Sequence, residues 1–228
     1  MTNPNLSDPF PLAIIFDFDG LLVDTEWAIY SSWLDVFIEE GHELPLHLFN
    51  QCLGSGYTHW NPATHLESLT GKTYDWDTIN AGRQEKIHAS LASHGLLAGA
   101  LEILDFCDSE NIPLAVASSS SHRWVDSWLT KLGIITRFRA VICRDDGYPV
   151  KPNPDLFLAA AEKLGTPPSD SLVLEDSQNG TTAAFNAGMR VIAIPNKITE
   201  MADFRHASFK VSSLCEAMHL LQNAKAHS

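Results

Sequence analysis

Four short, unbroken apolar runs constrain this chain more than any other feature: Leu12–Phe16, Pro113–Ala117, Leu172–Leu174 and Val191–Ile194. Runs of this length without polar alternation suit strands covered on both faces, the condition of a parallel sheet rather than of a half-solvated antiparallel one. Between the last three, and just before the second, Ala100–Glu110, His122–Leu132, Pro154–Leu164 and Gln178–Ala187 repeat apolar residues three and four apart, as helices with one buried face do. Strands alternating with helices predict an α/β fold with a doubly wound, Rossmann-like parallel sheet. Hydrophobic side chains make up 45% of the 228 residues and charged ones 19%, enough apolar material for a sizeable core.

The alternation is interrupted between the first two runs. Residues 25–95 offer helical patterns without a convincing strand, among them a stripe of Trp27, Tyr30, Leu34, Phe37 and Ile38 and a less regular one over Asp77–Ser93. The expected organisation is therefore a catalytic α/β core from residues 1–24 and 96–228, with residues 25–95 inserted as a helical cap. Such an insert is expected above the carboxyl ends of the strands, where open α/β sheets bind ligands. The ends, Met1–Asp8 and Ala224–Ser228, are expected to be loose.

Charge narrows the partners. Fifteen Lys and Arg against 28 Asp and Glu give a net charge of −13, the wrong sign for a nucleic-acid or anionic-membrane binder. A small anionic substrate stays compatible, because a bound cation or one buried Lys reverses the local field. No apolar run approaches the roughly 18–20 residues that cross a bilayer, so a soluble, cytoplasmic protein is expected. Cys52, Cys107, Cys143 and Cys215 are far apart, without metal-finger spacing, and read as buried, reduced thiols.

Four polar sites fall at the ends of the apolar runs or in the turns that follow. Asp17-Phe18-Asp19-Gly20 follows the first, and Gly20 lets the chain turn so that the two carboxylates splay around a common point. Such a pair can bind Mg²⁺, can divide labour as nucleophile and general acid/base, or can be a solvated turn. Ser118-Ser119-Ser120-Ser121 ends the second run, a hydroxyl and N–H cluster suited to phosphate oxygens and equally to capping the next helix. Lys151 precedes a Pro-initiated helix, and Glu175-Asp176 ends the third run, where two adjacent acids need something cationic between them.

Taken together, these motifs identify a resemblance to the haloacid dehalogenase superfamily, in its branch of β-phosphoglucomutase and the sugar-phosphate and phosphoglycolate phosphatases. That branch shows D-x-D-G-x-x-x-D-T-E, here Asp17 to Glu26; K-P-x-P-x-x-F, here Lys151 to Phe157; and E-D-S-x-x-G, here Glu175 to Gly180. The resemblance implies that Asp17 is the nucleophile forming an aspartyl-phosphate and Asp19 the general acid and then base. It implies that Ser118, with Ser119, holds a phosphoryl oxygen and that Lys151 neutralises charge between that group and Asp17. Mg²⁺ would lie on the Asp17 carboxylate, the Asp19 backbone carbonyl and Asp176, with Glu175 as a direct or water-bridged ligand. Thr25 and Tyr57 are the expected substrate contacts from the insert.

An acid two residues after the nucleophile favours phosphate esters over halides or phosphonates, which need no proton on the leaving group. The implied activity is a Mg²⁺-dependent phosphatase, a phosphoric monoester hydrolase acting on a small phosphorylated metabolite, as a monomer or weak dimer. A phosphosugar mutase is disfavoured by Ile29, where β-phosphoglucomutases carry His, and by the lack of an Arg after Gly54. A receiver domain is disfavoured by the interval from Asp17 to Lys151, and a catalytically silent binding protein by the completeness of the motifs. Leu53-Gly54-Ser55-Gly56-Tyr57 lacks the third glycine and preceding strand of a nucleotide loop. The six Trp, Trp124 among them, are expected to be packing residues, and Lys72, Arg83 and Lys86 to lie on solvated helix faces.

Overall fold

The computed structural model describes residues 10–50, 57 and 60–227. Along the chain the elements are β1 (Ala13–Phe16), α1 (Thr25–Glu39), α2 (Leu46–Phe49), α3 (Pro62–Thr70), α4 (Trp76–His94), α5 (Ala100–Ser109), β2 (Leu114–Ala117), α6 (His122–Lys131), β3 (Ala140–Ile142), α7 (Asp155–Leu164), β4 (Ser171–Glu175), α8 (Gln178–Asn186), β5 (Arg190–Ala193), β6 (Phe209–Lys210) and α9 (Leu214–Ala226). The chain divides into two compact units, one formed by the segments up to Val23 and from Leu96 onward, the other by Asp24–Gly95.

The first unit carries the sheet, in the order β3-β2-β1-β4-β5-β6 with every neighbouring pair parallel. The chain builds outward from β1 to β3 and then returns to the other side of β1, which makes β1 and β4 the two strands between which the winding reverses. Register puts Phe16 level with Val116 and Leu174, so the strands that flank this reversal end together. Both faces are covered, and residues two apart share a face. Ala13, Ile15, Ala115, Ala117, Val173 and Val191 join Leu156, Phe157, Ala160 and Leu164 of α7 and Ala183 and Ala184 of α8 in one core cluster. The many alanines let these helices approach the sheet closely. Each fully buried Ile, Leu or Phe contributes about 1.5–3 kcal/mol over its exposed state.

Several expectations are corrected here. Leu12 stands outside β1 and is 58% exposed. β3 and β6, of three and two residues, were not foreseen, because edge strands this short carry too little apolar signal. The C-terminal segment expected to be loose from Ala224 continues α9 to Ala226. Of the cysteines, Cys107 and Cys143 are buried as expected but Cys215 is exposed; Cys52 lies outside the described residues, as do Met1–Asp8 and the Leu53–Gly56 part of the glycine loop.

The Asp24–Gly95 unit is helical, with no strand among its described residues. Asp24 caps α1 by accepting from the Trp27 N–H at 3.3 Å, and Asp75 caps α4 through the Thr78 N–H at 3.2 Å. The buried face of α1 is Tyr30, Trp33 and Phe37, whereas Trp27 and Ile38 from the expected stripe are exposed. Trp33 packs against Arg83, buried on α4 with Ile87 and Leu91, whose guanidinium lies 3.5 Å from the Trp33 ring centroid, and against Trp76 of the same helix. Arg83 is thus not the solvated cation expected. Lys72 and Lys86 are exposed and pair with Glu40 at 2.6 Å and Asp35 at 2.9 Å.

Candidate active site

At the ends of β1, β2 and β4 the apolar pattern stops and four acids, one lysine and a serine loop converge. Asp17 continues the β1 direction, its N–H donating to the Leu174 carbonyl at 3.0 Å, and it is buried. Gly20 then turns the chain at φ +80°, a conformation that favours glycine. A side chain there would also strike Asp176 Oδ2 and come within 2.7 Å of Asn196 Nδ2. The turn closes with the Gly20 N–H on the Val23 carbonyl at 2.8 Å, and it aims Asp19 toward the serine loop after β2.

Lys151 Nζ lies between two carboxylates, donating to Asp17 Oδ1 and, at 2.8 Å, to Glu175 Oε1. All three side chains are buried. The other Glu175 oxygen accepts from Ser177 N–H at 2.7 Å and Ser177 Oγ at 2.9 Å. Glu175 is therefore engaged on both oxygens and orients the lysine. Burial pulls the Lys151 ammonium toward neutrality, but Asp17 and Glu175 outweigh it and hold its pKa well above the usual lysine value. Burial likewise pushes the Asp17 carboxyl up, Glu175 and Asp19 add to that, and Lys151 opposes them. We take the ion pair as the resting state, since one ammonium shared by two carboxylates is far better compensated than three buried groups left partly neutral.

Asp19 is met by three donors: Ser120 Oγ on Oδ2 at 2.6 Å, Ser118 Oγ on the same oxygen at 3.3 Å, and Trp124 Nε1 on Oδ1 at 2.9 Å. The hydroxyl closest to Asp19 is thus Ser120 rather than Ser118 or Ser119, and four consecutive serines gave no signal to choose among them. Trp124, read from sequence as packing, reaches the site through its indole N–H. Asn196, after β5, was also not singled out; its Nδ2 donates to Asp176 Oδ2 at 2.7 Å and to the Gly20 carbonyl at 3.2 Å. Nothing local marks an Asn that acts through a contact 176 residues away in the chain.

Asp17, Glu175 and Asp176 each offer an oxygen within 4.8 Å of the others. Hard, anionic oxygen donors of this kind fit a small divalent cation and not a thiophilic one. Asp17, Asp19, Glu175 and Asp176 stand against one buried lysine, so a further positive charge would relieve the site. A second group, His122, Cys143 and Asp145, also has ligand-type atoms within 4.8 Å of one another. Its imidazole nitrogens already face Asp126 and Asp146, each at 3.0 Å, and Asp145 takes the His122 N–H at the start of α6. That arrangement is an ion-paired clasp between α6 and the turn after β3.

Ser119 is half-buried beside Ser118, in the same loop. Thr25 opens α1 and is buried, its Oγ1 without a hydrogen-bond partner among the described residues. Tyr57 is 37% exposed and accepts from the Trp33 indole at 2.9 Å within the helical unit. No helix among the described residues is long and apolar enough to cross a membrane.

Comparison with known proteins identifies the family. YhcW of Bacillus subtilis is 34% identical over 204 residues, covering 90% of this chain and 92% of that protein. Hexitol phosphatase B of Escherichia coli O157:H7 is 30% identical over 221 residues, covering 90% and 93%. The crystal structure of CbbY from Rhodobacter sphaeroides in complex with xylulose 1,5-bisphosphate superposes with a TM-score of 0.70 at 25% identity, over 91% of this chain and 96% of that one. The model of the haloacid dehalogenase-like hydrolases matches residues 14–194, from within β1 through the end of β5, a span that holds Asp17, Asp19, the Ser118–Ser121 loop, Lys151, Glu175 and Asp176. The chain belongs to the haloacid dehalogenase-like hydrolase family.

Proposed function

We propose that this enzyme is a Mg²⁺-dependent phosphoric monoester hydrolase that acts on a small phosphorylated metabolite, of sugar-phosphate or phosphoglycolate type, through an aspartyl-phosphate on Asp17. The observation that carries the reading is the buried Lys151 shared between Asp17 and Glu175 beside a separately held Asp19. A structural ion pair would need only one of those acids. A phosphoryl transfer needs one carboxylate to attack, a cation to lower anion–anion repulsion, and a second carboxyl placed for the leaving oxygen.

In the first half-reaction an Asp17 oxygen forms a bond to phosphorus as the ester P–O bond breaks, and Asp19 gives its proton to the departing alcohol. In the second, Asp19 takes a proton from water, whose oxygen attacks phosphorus and releases inorganic phosphate, returning Asp17. Lys151 stays protonated throughout and balances charge on the phosphoryl oxygens, held in place by Glu175. The Ser118–Ser121 loop, ending at the start of α6, offers hydroxyl and N–H donors to those oxygens. Asp17 and Asp176 would hold the Mg²⁺, with the Asp19 carbonyl and Glu175 as further oxygen donors; when bound, the metal supplies Lewis-acid stabilisation of the phosphoryl charge. Placing the proton alone is worth about 10² to 10⁴-fold.

Substrate choice of the sugar- or polyol-phosphate kind is supported by hexitol phosphatase B and by the bisphosphate held by CbbY. We assign it to the helical unit, with Tyr57 and Thr25 as contacts. The test is phosphate release by the purified protein across sugar phosphates, polyol phosphates, phosphoglycolate and nucleotides, with Mg²⁺ and with EDTA. Turnover of at least one sugar or polyol phosphate, lost with EDTA and in Asp17→Asn, is expected. Full activity in EDTA, or in Asp17→Asn, would refute the mechanism.

A further inference from the structure

Asp19 has two oxygens with unlike neighbours. Oδ2 faces Ser120 and Ser118, whose hydroxyls rotate and can donate or accept. Oδ1 faces Trp124 Nε1, a group that can only donate and that does not titrate in water. Trp124 lies in the first turn of α6, its N–H bonded to the Ser121 carbonyl at 2.9 Å, and its ring meets Trp128 at 5.9 Å and 70°. Trp128 is 1% exposed, so the indole is braced against a fixed partner one helical turn further on. A tryptophan with two side-chain torsions, seated on a helix and met edge-on by a buried ring, is a more rigid donor than any serine of the preceding loop.

We propose that Trp124 is a positioning residue for the proposed acid/base, which it serves by fixing Asp19 Oδ1 as a permanent acceptor and so making Oδ2 the oxygen that meets the leaving group. The inference rests on the phosphatase reading of Asp19. A proton on Oδ1 would point at the indole hydrogen, whereas a proton on Oδ2 meets a hydroxyl that can turn to accept it. When substrate binds, its ester oxygen takes the place of the Ser120 hydroxyl on Oδ2. The proton then passes to that oxygen as the P–O bond breaks, and the carboxylate left behind still holds the Trp124 N–H. Without the indole, the carboxyl can rotate about its Cβ–Cγ bond and offer either oxygen.

Trp124→Phe keeps a ring against Trp128 and removes only the donor. An alkyl phosphate needs the proton of Asp19, while p-nitrophenolate departs without one. For Trp124→Phe we expect kcat/KM on the best alkyl phosphate of the screen to fall about ten- to a hundredfold, the usual worth of a hydrogen bond to a charged group. KM should stay within about twofold and p-nitrophenyl phosphate should lose less than about threefold, since substrate binding and unassisted departure do not use this bond. In an Asp19→Asn background the substitution should cost nothing further. Independently of turnover, Asp19→Ala should move the Trp124 indole N–H resonance and speed its exchange with solvent. Equal losses on both substrates, additive losses with Asp19→Asn, or an unmoved indole resonance would overturn the proposal. A wild-type protein inactive on every phosphate ester would instead refute the phosphatase reading, and the role of Trp124 with it, while the resonance would still report the Trp124–Asp19 bond.

Discussion

Gly180→Ala tests whether the site is held by the Lys151–Glu175 pair. Gly180 lies in α8, three residues after the capping Ser177, and a methyl group there would overlap Oε1, Cδ and Oε2 of Glu175. A carboxylate at the tip of a free side chain would swing aside cheaply. This one is 1% exposed and held by Lys151 and twice by Ser177, so moving it separates a buried ammonium from one of its two counter-charges. Removing one partner of a buried ion pair costs about 3–5 kcal/mol. Replacing glycine by alanine inside a helix returns about 1 kcal/mol, leaving a net loss of about 2–4 kcal/mol. For a chain of this size each kcal/mol lowers the melting midpoint by about 2–4 °C, so a fall of about 4–16 °C is expected by calorimetry. Gly82, inside α4 with nothing within 4 Å of its would-be methyl group, is the control: Gly82→Ala should raise stability by up to about 1 kcal/mol. If Gly180→Ala melts with the wild type, the reasoning that Glu175 is locked in place fails.

Asp176→Ala should raise the Mg²⁺ concentration needed for half-maximal activity by more than tenfold, and Asn196→Ala by less, since Asn196 acts on the proposed metal site through its bonds to Asp176 and the Gly20 carbonyl; a metal titration showing the reverse order would misplace the metal. Burial pulls the His122 pKa down, but Asp126 and Asp146 outweigh it and raise it above its ordinary 6.5. The folded state therefore favours the imidazolium, and the stabilisation is complete below about pH 6.5 and fades as pH rises through the raised value. The gap in urea midpoint between wild type and His122→Gln should accordingly be wider at pH 6 than at pH 9, and a pH-independent gap would contradict the clasp. Burial pushes the thiols of Cys107 and Cys143 up to about 12, so native protein should modify at exposed Cys215 and leave both unlabelled until it unfolds, as peptide mapping would show.

What was legible from the sequence follows a physical line. β1, β2, β4 and β5 were readable because strands buried on both faces need unbroken apolar stretches between their ends, and Ala13–Phe16 or Leu172–Leu174 could do little else. β3 and β6 escaped because an edge strand of two or three residues, half-exposed as Ala140 and Phe209 are, has no such requirement. In α1 the period was legible but not its phase. Trp27 and Trp33 look alike to a hydropathy count, and only tertiary contacts, with Arg83 and Trp76 of α4 and with Tyr57, set Trp33 apart as the buried one.

The candidate site divides along the same line. Asp17, Lys151, Glu175 and Asp176 stand where a strand ends or a helix begins, and an acid or lysine that follows an apolar run is conspicuous because burying it unpaired would be costly. Ser120, Trp124 and Asn196 carry no such mark. A serine among four serines, a tryptophan on an amphipathic helix and an asparagine in a loop are all ordinary where they stand. Each acquires its part only because parallel pairing brings the ends of β2 and β5 to the level of β1 and β4. The charged groups of this site thus declare themselves locally, through the cost of their burial. The neutral groups that aim them do not, because a neutral donor costs far less to bury than a charge and so leaves no comparable local mark. That is why the residue most open to a new role here, Trp124, is one that hydropathy alone assigns to the core.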